Sequence, residues 1–204
     1  MPRKPRQPSA SGYYHFINRG VNKKKIFHED EDFEFYKGLL KEYAEKLNLR
    51  ILHYCLMANH THLLLWSEDI LFLSQFGHFI QRRYAYYYCK TYHWSEQVFR
   101  NRYMSLPVEN DSYLLECGRY IERNPLDANI VKDPKEYKHS SFHYYAYGKP
   151  DNLVTQSPLY HNLGRSKEER MLVYRFNIIH SRSYELEKNK PLRKVRNDAQ
   201  PVPF

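Results

Sequence analysis

One run of ten residues constrains this chain more than any other: Met57-Ala58-Asn59-His60-Thr61-His62-Leu63-Leu64-Leu65-Trp66. The unbroken apolar stretch from Leu63 to Trp66 suits a strand covered on both sides. Side chains in a strand alternate between faces, so His60 and His62 project the same way, with roots roughly 7 Å apart. Thr61 points to the opposite face. Two imidazoles so placed can converge on one ion or one phosphate, although most histidine pairs are structural. This pair follows a polar, turn-prone Ala58-Asn59 step and so stands at a strand end, where sites are usually built.

Around this run the periodicity gives an α+β pattern with an antiparallel sheet. Tyr13–Arg19 alternates, with Tyr14 and Phe16 on one face and His15 and Ile17 on the other. Arg19-Gly20 turns, and Lys23, Lys24 and Lys25 follow in a loop. Asp30-Glu31-Asp32 opens a helix whose Phe33, Tyr36, Leu40, Tyr43 and Leu47 form an apolar stripe, and Asn48 closes it. Arg50–Leu56 and His60–Trp66 form a hairpin. A second helix is expected from about Leu71 to Tyr92, and Gln81, Arg82 and Arg83 make a basic patch beside its buried stripe. That patch is equally consistent with a solvated face and with phosphate contact. Gln97–Val108 reads as a strand or strand pair with Arg100 and Arg102 on one face, able to grip a backbone phosphate.

The third helix starts at Glu109-Asn110-Asp111 and is expected to stop at Asn124-Pro125, since the residue before proline avoids helical angles. Within it, Tyr120 and Asn124 are four apart and share a face, with Arg119 and Arg123 beside them. On this segment alone a core-edge tyrosine with polar neighbours is the simpler reading. A tyrosine, an amide and an arginine together also suit phosphoryl chemistry. Gly148-Lys149-Pro150 marks a boundary, and Lys167–His180 reads as a short helix. The expected organisation is a flexible basic arm over 1–11, one domain over 12–150, a helical extension over 151–184 and a mobile basic tail over 185–204.

Composition narrows the partner. The net charge is +9, with +3 in Met1–Pro8 and +2 in Glu185–Phe204, so the body itself stays basic and favours a polyanion. Hydrophobic residues at 42% can build a core across 204 residues. The odd set Cys55, Cys89 and Cys117 lacks C-x-x-C spacing and fits reduced, structural thiols in a cytoplasmic protein. No apolar run follows the basic, proline-rich start, and none approaches the ~20 residues of a membrane span. No glycine-rich phosphate loop appears. A metal hydrolase of the H-x-H-x-D-H type is a second, disfavoured alternative, because Leu63-Leu64-Leu65 follows His62 and the required acid is absent.

Several stretches, taken in order, resemble the REP-associated tyrosine transposases of the HUH single-tyrosine nuclease superfamily. They are Tyr14-His15-Phe16-Ile17-Asn18-Arg19-Gly20, Ile26-Phe27, Met57 to Leu65, Phe99-Arg100-Asn101-Arg102-Tyr103, and Arg119-Tyr120-Ile121-Glu122-Arg123-Asn124-Pro125. The resemblance covers about residues 13–147. The resemblance implies a ferredoxin-like or RRM-like central antiparallel sheet flanked by helices. It implies that His60, His62 and Asn124 hold a divalent metal, Mg2+ or Mn2+, and that Tyr120 is a nucleophile. The activity would be cleavage and rejoining of single-stranded DNA at hairpin-forming repeats through a 5′-phosphotyrosine. DNA contacts would come from Arg19, Lys23, Lys24, Arg82, Arg83, Arg100, Arg102, Arg119 and Arg123. A non-catalytic hairpin-binding regulator is the alternative, and monomer and homodimer stay open. Thr61 replaces a residue that is usually apolar, Asn124 stands where glutamine is common, and Met104 stands where lysine is common.

Overall fold

The computed structural model describes residues 6–180, so the expected basic tail and the first five residues lie outside the described part. In chain order the elements are β1 (Tyr13–Arg19), α1 (Asp30–Lys46), β2 (Arg50–Met57), β3 (His60–Trp66), α2 (Ile70–Tyr92), β4 (Met104–Pro107), α3 (Asp111–Asp127), α4 (Phe142–Tyr147) and α5 (Lys167–His180). The strands form one antiparallel sheet in the order β2-β3-β1-β4. That order and the succession β-α-β-β-α-β are those of the ferredoxin-like fold.

Strand alternation sends side chains to two different layers. On one face Tyr14, Phe16, Leu63 and Leu65 meet Tyr36 and Leu40 of α1 and Leu73, Phe76 and Ile80 of α2 in the main core. Thr61 is buried on this face, beside the Tyr36 hydroxyl. The other face carries Cys55, Met57 and Leu64, and α3 covers it with Leu114, Cys117 and Ile121. β2 breaks its alternation at a bulge between Ile51 and His53. Leu52 thereby joins His53 on the α3 side, as bulges commonly re-aim side chains.

α3 packs directly against a side chain of β2. A Cβ on Gly118 would sit 2.8 Å from Nε2 of His53, so only glycine fits there. Glu122, one turn on, is fully buried and takes three donors from three places. They are His53 Nδ1 at 3.0 Å, Ser141 Oγ at 2.6 Å and Tyr174 Oη of α5 at 2.7 Å. The helical extension is therefore bolted to the helix that carries Tyr120. α4 and α5 share an apolar cluster of Phe142, Tyr145, Tyr160, Tyr174 and Ile178.

Three expectations are corrected. The strand over Gln97–Val108 shrinks to Met104–Pro107, because Val98, Phe99 and Tyr103 are all buried and residues 97–103 form a loop that docks on the end of β1. Its backbone bonds are Val21 N to Val98 O and Arg100 N to Arg19 O. α3 runs through Pro125 to Asp127 instead of stopping before it. Proline cannot donate to the Ile121 carbonyl, but Nδ2 of Asn124 lies 3.3 Å from that oxygen and 2.8 Å from the Tyr120 carbonyl. Finally, residues 6–11 of the expected flexible arm are docked. Arg6 lies over the Tyr103 ring, and the Ser9–Ser11 segment bonds to Glu109 and the Tyr14 hydroxyl.

The glycine contact gives a stability test. Replacing a helical glycine by alanine would raise stability by about 1 kcal/mol if helix propensity alone acted. Overpacking against His53 should instead lower it by about 1–3 kcal/mol. Gly118→Ala is therefore expected to shift the urea midpoint downward, and an upward shift would mean that α3 is not pressed on the sheet.

Candidate active site

The antiparallel register sets Ile17 opposite His62 and Arg19 opposite His60. Both histidines thus project from the α3 side of the sheet, as their spacing predicts. Their ring centroids are 5.0 Å apart and nearly perpendicular. Tyr120 descends from α3 with its ring edge-on to His62, centroids 5.6 Å apart. Its hydroxyl has no hydrogen-bond partner among the described residues. Asn124, one turn further along, is near enough to His60 to oppose the lowering of its pKa. Its Nδ2 donates to the Tyr120 and Ile121 carbonyls, which leaves Oδ1 outside those helix bonds.

Each histidine is oriented by a neighbour that sequence reasoning gave no role. Nδ1 of His60 lies 2.5 Å from Oδ1 of Asn59. The Asn59 amide is itself fixed by a 3.2 Å bond from Nδ2 to the Lys23 carbonyl. Nδ1 of His62 lies 2.8 Å from Nε2 of His15, a buried side chain of β1. The alternation of the first strand puts His15 on this face, but only the register brings it to His62. In both cases the hydrogen bond occupies Nδ1.

Burial keeps the imidazoles neutral. Desolvation, followed by the charge of Arg19, lowers the His60 pKa to about 4. The same causes, with the neighbouring histidines, push His62 well below its usual value. Burial alone lowers His15 to about 4. Neutral imidazoles are the form that binds metals. Two such rings with Nδ1 engaged, together with an amide oxygen, are a donor set that fits a divalent ion with further positions left for oxygen ligands. No cluster of three or more His, Cys, Asp or Glu side chains fit to hold a metal occurs among the described residues. Burial also raises the Tyr120 pKa, opposed by the charge of Arg19.

The basic residues divide. Arg19 is exposed beside the histidines, and Lys23, Lys24, Arg100 and Arg102 are exposed on the segments docked around it. Lys24 sits over the Trp94 ring and 3.8 Å from Glu96. Arg82 and Arg83 are exposed on α2, next to Gln81, which bonds Asn18 and the Asn101 carbonyl. Arg123 is corrected from a DNA contact to a structural clamp. Its guanidinium is buried and donates to the Ile178 and Ile179 carbonyls of α5, and it pairs with Asp127. Arg119 pairs with Glu116 at 2.5 Å and lines a small cavity with His53, Tyr145 and Tyr174, away from the histidine pair.

With this geometry in hand, the known families discriminate. The profile described as "Transposase IS200 like" matches residues 9–124, more than half of the chain. The chain belongs to the IS200-like transposase family. Membership makes it a DNA-processing enzyme of the transposase class. Among solved structures it is similar to a REP-associated tyrosine transposase bound to a REP hairpin. The TM-score is 0.61 at 15% identity, over 77% of this chain and 93% of that one, a likeness of fold. A protein of Deinococcus radiodurans R1, provisionally assigned as a transposase, matches at 23% identity over 60% of this chain and 97% of that one, with a TM-score of 0.42. No match is found among the curated proteins. In this transposase no described helix is long and apolar enough to cross a membrane.

The depressed histidine values carry a stability consequence. An unfolded histidine titrates near 6.5, whereas folded His60 stays neutral to about 4. Its contribution is fully present above pH 6.5 and is lost as pH falls toward 4, at about 1.4 kcal/mol per pH unit over that window. An NMR titration of the metal-free protein should place the His60 ring midpoint near 4. A midpoint at 6.5 would show a solvated ring.

Proposed function

We propose that this transposase cleaves and rejoins single-stranded DNA through a covalent phosphotyrosine, with Tyr120 as nucleophile and His60, His62 and Asn124 as ligands of a divalent metal, Mg2+ or Mn2+. The observation that carries this reading is the convergence of Tyr120, from α3, on His62, from β3, with ring centroids 5.6 Å apart. Nothing in the packing of a core requires a half-buried phenol, unbonded among the described residues, beside two oriented, neutral imidazoles.

In the proposed step the Tyr120 oxygen attacks the scissile phosphorus. A tyrosyl–phosphorus bond forms as the bond to the 3′ oxygen breaks, leaving a 5′-phosphotyrosine and a free 3′-hydroxyl. The phosphodiester energy stays in the covalent link, so rejoining needs no nucleotide hydrolysis. A phenol of pKa about 10 is ionised roughly once in a thousand at pH 7, a handicap near ~4 kcal/mol, and burial of Tyr120 deepens it. A bound divalent ion would supply charge stabilisation at the phosphoryl oxygen. Arg19 adds a fixed positive charge that favours the phenolate. In this reading the neutral histidines and the amide hold and orient the ion, the phenol's proton leaves to solvent, and the departing 3′ oxygen takes one up from solvent. Arg19, Lys23, Lys24, Arg82, Arg83, Arg100 and Arg102 are proposed to follow the DNA backbone, and each would contribute affinity without sequence information.

The proposed substrate is a DNA hairpin with a single-stranded flank. It is supported by family membership and by the REP hairpin bound to the similar transposase. The test is a labelled hairpin oligonucleotide incubated with protein and Mg2+ or Mn2+, then resolved on a denaturing gel. A covalent adduct is expected with the native chain and none after chelation. Tyr120→Phe should bind the hairpin within about threefold of the native chain and form no adduct. His60→Ala should form none at any Mg2+ or Mn2+ concentration. An adduct with Tyr120→Phe would displace the nucleophile. Tight hairpin binding with no adduct in the native chain would instead favour a non-catalytic regulator.

A further inference from the structure

His15 has no part in the transesterification just described, yet it is buried against its centre. Its Nε2 lies 2.8 Å from Nδ1 of His62, with the two rings tilted by 30°. Its edge faces the Tyr120 ring at 5.9 Å between centroids. The second ring nitrogen, Nδ1, is buried with no hydrogen-bond partner among the described residues.

A neutral imidazole has one N–H and one lone pair. Two neutral rings that share one hydrogen bond therefore have two arrangements. In one, His62 Nδ1–H donates to His15 Nε2. His62 then offers its Nε2 lone pair outward, and the proton of His15 resides on the partnerless Nδ1. In the other, His15 Nε2–H donates to His62 Nδ1. His62 then carries its proton on Nε2 and has no lone pair for a cation. Both arrangements hold the same number of protons, and only the first is competent to bind a metal.

His60 faces no such choice. Its Nδ1 meets an amide oxygen, which only accepts, and the amide is locked by its bond to the Lys23 carbonyl. An imidazole partner is the ambiguous one, because it can donate or accept. We propose that His15 is a positioning residue that holds His62 in its metal-binding tautomer by accepting the Nδ1 proton. It does so at the cost of an orphan N–H within the core. The inference rests on the reading of His60 and His62 as ligands. It predicts that a side chain at position 15 must present an acceptor where Nε2 now stands, while a positive charge or a second donor is not required. Outer partners of this kind typically change metal affinity 10–100-fold when removed.

The experiment measures Mn2+ affinity of the full DNA-free chain by EPR titration, with thermal melts as a check on folding. His15→Gln places an amide oxygen near the position of Nε2 and should bind Mn2+ within about threefold of the native chain. His15→Leu removes the acceptor and should bind 10–100-fold more weakly. In the native protein loaded with Mg2+, long-range proton–nitrogen NMR of the histidine rings should find the His62 proton on Nδ1. Native affinity in His15→Leu overturns the role of His15 and leaves the ligand assignment standing, whereas a His62 proton on Nε2 with Mg2+ bound overturns both, since that ring has no lone pair for the ion. Should His15→Leu fail to fold, the ring NMR of the native protein decides alone. Absence of Mn2+ binding by the native chain overturns the ligand assignment and this inference together.

Discussion

The pressing of α3 onto the β2–β3 face underlies the rest of the architecture. Tyr120 lies beside the histidines on a helix whose Gly118 packs directly against the His53 ring. Burying Glu122 at that contact would cost several kcal/mol if it were left unpaired. His53 from β2, Ser141 from the start of α4 and Tyr174 from α5 together fill both of its oxygens. Arg123 adds a second fastening to the α5 carbonyls. The nucleophile candidate is thus presented by a helix whose opposite face is tied to the C-terminal helical segment. The position of the phenol is set by polar contacts made two and three residues away from it.

The same burial acts in opposite directions on the two halves of the site. It keeps His15, His60 and His62 neutral, which ligation of a cation needs. It also raises the Tyr120 pKa, which nucleophilic attack does not need. Arg19 partly reconciles them, since its charge keeps protons off the imidazoles and lowers the phenol. One exposed arginine, placed opposite His60 by the strand register, therefore serves both groups.

Periodicity made most of the fold legible. The alternating and 3.6-residue patterns predict β1, α1, the β2–β3 hairpin, α2 and α5 within a residue or so of where they lie. They fail where side chains outvote pattern. The alternation over 97–103 resembles a strand, but three of its aromatic and branched residues bury themselves in a loop. Pro125 signals a helix end, yet Asn124 supplies the donor that proline lacks. Arg123 looks like a phosphate contact from its neighbours in sequence, but it is buried against the carbonyls of α5.

The chain by itself determined the parts: which residues alternate, which share a helix face, and that two histidines leave one strand on the same side. Those are consequences of 2-residue and 3.6-residue repeats, which local backbone geometry imposes wherever the chain folds. The sheet register and the landing of α3 decided the partners. They brought His15 under His62 and set Arg123 against the carbonyls of α5. Such pairings join positions up to 56 residues apart. They depend on close packing and on satisfying buried polar atoms throughout the molecule, conditions that no local window of sequence contains.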